Sequence, residues 1–147
     1  MSDPGGAILG FDVGSRWVGV AVGSVLTGHA RPLCVLDRER GDVWGQVAAL
    51  LEAWRPHMLV VGDPMDPDGG AREATLGAHR FSRQLQGRFG LPVALVDERH
   101  SSREASVALA QARREGRARR REAARLDAHA AARILQRWLD AGAPPPA

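Results

Sequence analysis

The stretch that most constrains this chain is an apolar strand that ends in a carboxylate. Residues Ile8–Leu9–Gly10–Phe11–Asp12–Val13–Gly14 lead through Ser15–Arg16–Trp17 into Val18–Gly19–Val20–Ala21–Val22. The pattern reads as strand, tight turn, strand. An acid at the end of an apolar strand costs free energy to bury unless a cation or hydrogen-bond donors meet it. Gly14 lets the backbone turn or come close to a ligand. From this stretch alone two readings stay open: a turn aspartate bonded to its own backbone, and a metal or phosphate site.

The remaining elements follow from periodicity. Ala7–Asp12 and Trp17–Gly23 are the first two strands, with Val18, Val20 and Val22 on one face of the second and the small Gly19 and Ala21 on the other. Arg31–Leu36 is a third, with Pro32 near its start, where a missing N–H does little harm. Short turns between them predict an antiparallel meander. Val43, Val47, Leu50, Leu51 and Trp54 then recur at helical spacing, and Arg55-Pro56 ends that helix, because a residue before proline avoids the α region. Met58–Gly62 is a short apolar strand, and GDPMDPDGG (62–70) is a loop dense in turn formers. Ala74, Ala78, Phe81, Leu85 and Phe89 mark a second helix, stopped by Gly90. Leu91–Asp97 is another strand. Ser101 with Glu104 forms a capping box for a helix to about Arg113, and Ala123–Leu139 is the last helix, with Leu126, Ala130, Ile134 and Trp138 on its apolar face.

Strand–helix alternation in the second half implies parallel crossovers. The expected architecture is therefore α/β: a mixed five-stranded sheet, three antiparallel strands followed by two parallel ones, with helices on both faces. The expected domain covers residues 7–140, with flexible tails at 1–6 and 141–147. At 147 residues and 44% hydrophobic, one domain can bury a core. Cys34 is the sole cysteine, so no internal disulfide forms. The chain opens without a leader-like segment, and its apolar runs are too short to span a bilayer. The expectation is a reducing, cytoplasmic setting.

Charge is distributed unevenly. All 20 basic residues are arginine, and the formal net charge is +3. Arg113, Arg114, Arg117, Arg119, Arg120, Arg121 and Arg125 face only Glu115 and Glu122 in the same segment, so the block carries +5 and the rest of the chain −2. A single-sign cluster of this kind points to an anionic partner such as nucleic acid. The plainer reading is a solvated loop.

Acids occupy three unusual places. Asp12 ends the first strand, Glu98 follows the last one beside Asp97, and Asp127 lies along the edge of the buried face of the final helix. In an open α/β sheet, ligands bind beyond the carboxyl ends of the strands. If the first and last strands are parallel neighbours, Asp12 and Glu98 emerge side by side, where two carboxylates repel unless they share a proton or a cation. Asp127 also has the ordinary role of an acid near a helix N-terminus. Oxygen ligands without His or Cys suit Mg2+ or Mn2+ rather than zinc. His29, His57, His79, His100 and His129 show no metal-ligand spacing. His100 and His129 fall close to Glu98 and Asp127, and are read as surface residues rather than proton-transfer groups.

GFDVGSRWVGVAVG, VVGDPMDPDG, VDERHSS and LDAHAAARIL, in this order, resemble the YqgF/RuvX family over roughly Ile8 to Leu139. The resemblance implies an RNase H-like fold and an acidic triad at Asp12, Glu98 and Asp127. It also implies a metal-dependent nuclease for the 5′ end of pre-16S ribosomal RNA in ribosome biogenesis, or a Holliday junction resolvase on branched DNA. Two positions depart from the family pattern: Asp63, where an apolar residue is common, and His100, where leucine is common. Asp63 is read as a loop residue. In this scheme the acids hold one or two ions, spaced about 3.5–4 Å apart when paired, that activate water and stabilise the leaving oxygen. Arg16, Arg99 and the Arg113–Arg125 block hold the phosphate backbone.

The expected partners are structured RNA or branched DNA and ribosomal assembly intermediates, with no membrane, for a monomer or weak dimer. Two rivals differ in kind. A non-catalytic RNA-binding assembly factor would leave RNA intact with Mg2+ or with EDTA. A sugar-kinase-like ATPase needs a second similar domain, for which this length leaves no room.

Overall fold

The computed structural model describes residues 6–64, 72–97 and 120–146, with backbone alone for 72–74 and 120–127. The elements are β1 (Ile8–Val13), β2 (Trp17–Ser24), β3 (His29–Asp37), α1 (Val43–Trp54), β4 (Met58–Asp63), α2 (Arg72–Phe89), β5 (Val93–Asp97) and α3 (Arg120–Asp140). The expected helix from Ser101 to about Arg113 lies outside the described residues. So do the Arg99 and Arg113–Arg119 part of the basic set, Glu98 and His100.

The five strands form one sheet in the order β3-β2-β1-β4-β5. β1 pairs antiparallel with β2, and β2 with β3; β4 is parallel to β1 and to β5. The expected mixture of three antiparallel and two parallel strands is thus observed. One expectation is corrected: β1 and β5 are not neighbours, because β4 lies between them, which separates them by two strand spacings, about 9–10 Å.

Pro32 sits on the edge strand β3, where the pairing skips Leu33 between Val20↔Cys34 and Ala21↔Pro32. The missing N–H therefore falls at a bulge on an edge, the place a sheet tolerates it. The bounds of α1 follow local chemistry: the Asp42 side chain accepts from the Trp44 amide at 3.0 Å, and Arg55 takes a left-handed conformation (φ 47°) ahead of Pro56.

Alternation along the strands sorts the core into two layers. Leu9 and Phe11 of β1, Val18, Val20 and Val22 of β2, and Leu59 and Val61 of β4 pack with Val43 and Val47 of α1 and Ala78, Phe81 and Leu85 of α2. Trp44 stacks on Phe81 with 4.9 Å between ring centroids and couples the two helices. On the other face, Ile8, Ala21, Met58, Val60, Ala94 and Val96 meet Ala131, Ile134, Leu135 and Trp138 of α3.

The valine-free face of β2, with Gly19, Ala21 and Gly23, is the one that receives α3. A Cβ placed on Gly10 would lie 2.9 Å from the Cβ of Leu135 and 3.4 Å from the Ala131 carbonyl oxygen. One on Gly23 would lie 3.2 Å from Leu135 Cδ2 and 2.7 Å from the His29 carbonyl oxygen. The helix sits directly on backbone here. The last helix also starts earlier than expected: Arg120 and Arg121, assigned to a loop preceding it, and Arg125 are helical. Among the described residues no helix is long and apolar enough to cross a membrane.

Gly10→Ala is expected to force α3 outward and lower stability by about 1–3 kcal/mol, the usual penalty for overpacking. Chemical denaturation measures this as a lower midpoint at unchanged slope, and an unchanged midpoint would mean that α3 does not sit on the β1 backbone.

Candidate active site at the carboxyl edge of the sheet

Asp12 is half-buried on β1, opposite Gly19 of β2. It alternates with Ile8 and Gly10 onto the α3 side. Its cross-strand neighbour, Gly19, has no side chain and is itself buried. The turn that follows is tight: the Gly14 amide donates to the Trp17 carbonyl at 2.9 Å, and a Cβ on Gly14 would fall 2.8 Å from that oxygen. Only glycine fits.

The turn is tied to the end of β3. Arg38 donates through Nη1 to the Gly14 carbonyl at 2.9 Å, and its amide donates to the Arg16 carbonyl at 2.8 Å. Arg16, expected to contact nucleic acid, lies 3.6 Å from Asp37 and 3.3 Å from Glu39, with its guanidinium 4.7 Å from the Trp17 ring centroid. Two carboxylates offset its charge. Each such pair at this exposure is worth about 0–1 kcal/mol, so the cluster orients the hairpin more than it stabilises the fold.

The course of α3 brings a second acidic position toward Asp12. Gln136 accepts from the Ala30 amide at 2.9 Å and donates to the Gly28 carbonyl at 2.8 Å, beside the Ile8 end of β1. Ala131 lies over Gly10. The helix therefore runs against β1. One helical turn back from Ala131, a rise of about 6 Å, is position 127. Two residues on from Gly10, about 6.8 Å along the strand, is Asp12. The two backbones thus advance together toward the carboxyl edge.

The third acid, Glu98, follows directly on β5. Arg137 of α3 donates to the Asp97 carbonyl at 2.6 Å, which ties the end of that strand to the same helix. Val96 shares the α3 face with Asp12. Among the described residues, no group of three or more His, Cys, Asp or Glu side chains is placed to hold a metal.

Asp63 is not a loop residue. It is the last residue of β4, only 7% exposed, and its Oδ2 lies 2.8 Å from Nε2 of His79 on α2. The reason is alternation: Leu59, Val61 and Asp63 share one face, and that face looks at α1 and α2. The opposite face carries Asp12, so Asp63 is not a fourth acid of the same pocket. Thr75 Oγ1 donates to the Pro64 carbonyl at 2.8 Å and closes the same junction. This pair was missed in the sequence, where the only signal was the period-two run into position 63. His129 is exposed, as expected. Burial pushes the Cys34 thiol up from its ordinary range, which keeps it protonated and a poor nucleophile at neutral pH.

The model of the RuvX family, described as Holliday junction resolvase, matches residues 6–141. The chain belongs to the RuvX family. It is 50% identical over 139 residues to a protein of Xanthomonas axonopodis pv. citri (strain 306) named "Putative pre-16S rRNA nuclease", covering 94% of this chain and 90% of that one. A protein of the same name from Xanthomonas campestris pv. campestris (strain B100) is 48% identical over the same shares. In structure the chain is similar to T. thermophilus RuvC in complex with a Holliday junction substrate, with a TM-score of 0.58 at 21% identity, covering 97% of this chain and 99% of that one. The RuvX chain therefore has the RNase H-like fold expected from its motifs.

Asp63→Ala is expected to leave His79 without its carboxylate and to lower stability by about 1–3 kcal/mol, the range for breaking a buried hydrogen bond. Thermal or chemical denaturation checks this, and an unchanged midpoint would show that the pair adds nothing to the fold.

Proposed function

We propose that this chain is a divalent-metal-dependent phosphodiester hydrolase that trims structured RNA, with the 5′ end of pre-16S ribosomal RNA as its substrate. The observation that carries the reading is Asp12: a half-buried carboxylate at the carboxyl edge of a parallel pair, flanked by a glycine, with position 127 of α3 approaching along the same edge. The names of the curated relatives at about half identity support the choice of substrate.

In this reading Asp12, Glu98 and Asp127 are the catalytic and metal-holding residues. The chemistry of the donor set fits Mg2+ or Mn2+, since all three are hard oxygen ligands. The bound ion would supply charge stabilisation at the phosphate and a more acidic water. The protein's own part is positional. The Gly14 turn fixes the end of β1. The contact of Ala131 and Leu135 with Gly10 fixes how far α3 stands from β1, and Arg137 fixes the end of β5. Arg99, Arg113, Arg114, Arg117, Arg119, Arg120, Arg121 and Arg125 contact the phosphate backbone, which gives affinity without base recognition. Arg16 acts with them through its exposed edge while it braces the hairpin. Specificity then comes from the shape of the RNA or from ribosomal assembly intermediates.

A second reading, resolution of four-way DNA junctions, is favoured by the description of the family and shares the same acids. Incubating the purified chain with a pre-16S 5′ leader and with a four-way DNA junction, in Mg2+, Mn2+ or EDTA, decides between them. Metal-dependent cutting of the leader alone is the expected result. No cutting of either substrate in metal would favour a non-catalytic RNA-binding assembly factor.

Asp12→Asn is expected to reduce cleavage to the no-enzyme level with the thermal midpoint preserved; cleavage at the wild-type rate would place the chemistry elsewhere. Replacing Arg119, Arg120 and Arg121 together by Ala is expected to weaken RNA binding and to make the plot of log affinity against log salt shallower by up to about 3. A salt titration in EDTA measures this, and an unchanged slope would reduce the block to a solvated segment.

A further inference from the structure

Arginines outside the 113–125 segment also share one side of a helix, α2. α2 turns Ala78, Phe81 and Leu85 into the core, and Ser82 with them. Its opposite side carries Leu76, Arg80, Arg83 and Gly87, at spacings of four, three and four residues, with Gln84 alongside. Arg80, Arg83, Gln84 and Gly87 are exposed, and Leu76 is 55% exposed. Glu73 lies in the first turn of α2, three residues before Leu76, and no acidic residue follows it before Asp97. The nearest described carboxylate, Asp63, is buried against His79 and does not reach this surface.

Gly87 is exposed on this side of the helix, and Gly77 is half-buried on its flank. A Cβ on Gly77 or on Gly87 would meet nothing within 4 Å. Among the described residues no neighbour requires either to be glycine, and each weakens the helix relative to alanine. Their effect is to lower the ridge on both flanks of the arginine pair, so that a partner's backbone can come close.

We propose that the outward face of α2 is a second contact surface for the nucleic-acid backbone, formed by Arg80, Arg83 and Gln84 between Gly77 and Gly87. It rests on the nucleic-acid reading of the function and extends it to the opposite side of the sheet from α3. From Leu76 onward the chemistry is one-sided: arginine forks and an amide offer donors, and no carboxylate follows Glu73 before Asp97. Residues three apart on a helix stand about 5–6 Å apart at Cβ, close enough for the two guanidinium groups to engage neighbouring phosphates. α2 follows β4, the strand beside β1. Arg80 lies about 12 Å along the helix axis from its start. A folded RNA held at the carboxyl edge therefore meets α3 on one side and α2 on the other, which favours a bulky, structured substrate over a single extended strand.

The test is a salt titration of binding to a 5′-labelled RNA hairpin by the full chain in EDTA, so that binding is read apart from cleavage. Arg80→Ala with Arg83→Ala is expected to bind several-fold more weakly and to make the salt slope shallower by about 2. Arg55→Ala, at the other end of the sheet, is expected to leave the slope unchanged. Gly87→Ala is expected to raise the thermal midpoint and yet weaken binding, a combination that a merely structural glycine would not give. Binding unchanged in the arginine pair, or in Gly87→Ala, overturns the proposal. An unchanged slope with altered sedimentation would instead make the face a contact between protein copies. If the wild-type chain cuts nothing but the arginine pair still flattens the slope, the hydrolase reading fails and this surface stands.

Discussion

The approach of α3 to the bare backbone of β1 and β2 is the contact on which the rest of this structure depends. Gly10, Ala21 and Gly23 leave a shallow trough in one face of the sheet, and Ala131 and Leu135 lie in it. Side chains of ordinary size would hold a helix and a sheet about 10 Å apart; glycine and alanine allow a closer seat. That closeness fixes both the height of α3 and its direction, since Gln136 is tied to the β2–β3 hairpin at the same end. The separation of the β1 and α3 backbones near Asp12 and position 127 follows from this contact.

A rigid frame around a charged edge suits this arrangement. In the proposed site, carboxylates brought together would need structure that holds them against their repulsion. The frame at this edge is built from bonds to backbone carbonyls: the Gly14–Trp17 hydrogen bond, the Arg38 bond to the Gly14 carbonyl, and the Arg137 bond to the Asp97 carbonyl. The arginines in this frame serve geometry. Arg16 is braced by Asp37 and Glu39 and lies on Trp17. Arg80 and Arg83, by contrast, stand on exposed helix surface.

Much of the fold was legible from patterns of local origin. The valine and glycine faces of β2, the stop at Arg55-Pro56, the edge position of Pro32 and the helical face at Ile134 and Trp138 all follow from period and backbone chemistry within one element. The errors arose where an element's end depends on its neighbours. Asp63 looked like the first residue of a turn-rich loop, but pairing with β5 extends β4 through it, and His79, sixteen residues away, accounts for its burial. Arg120 and Arg121 looked like loop because charge obscured the start of α3. The strand order could not be read locally either: nothing within Ile8–Val13 or Val93–Asp97 states that β4 lies between them.

The sequence by itself determined which residues are strand, helix and turn, which faces are apolar, and that an acid closes the first strand, because these are set by side-chain period and by the few residues that restrict or free the backbone. Only the tertiary structure decided which acids share a face. Asp12 and Asp63 lie at the carboxyl ends of two parallel strands, yet one is on the α3 face and the other on the α2 face. The reason is that a pleated strand alternates its side chains. The face an acid takes then depends on how each strand is registered against its neighbours, a property that belongs to the assembled sheet and to no single segment of it.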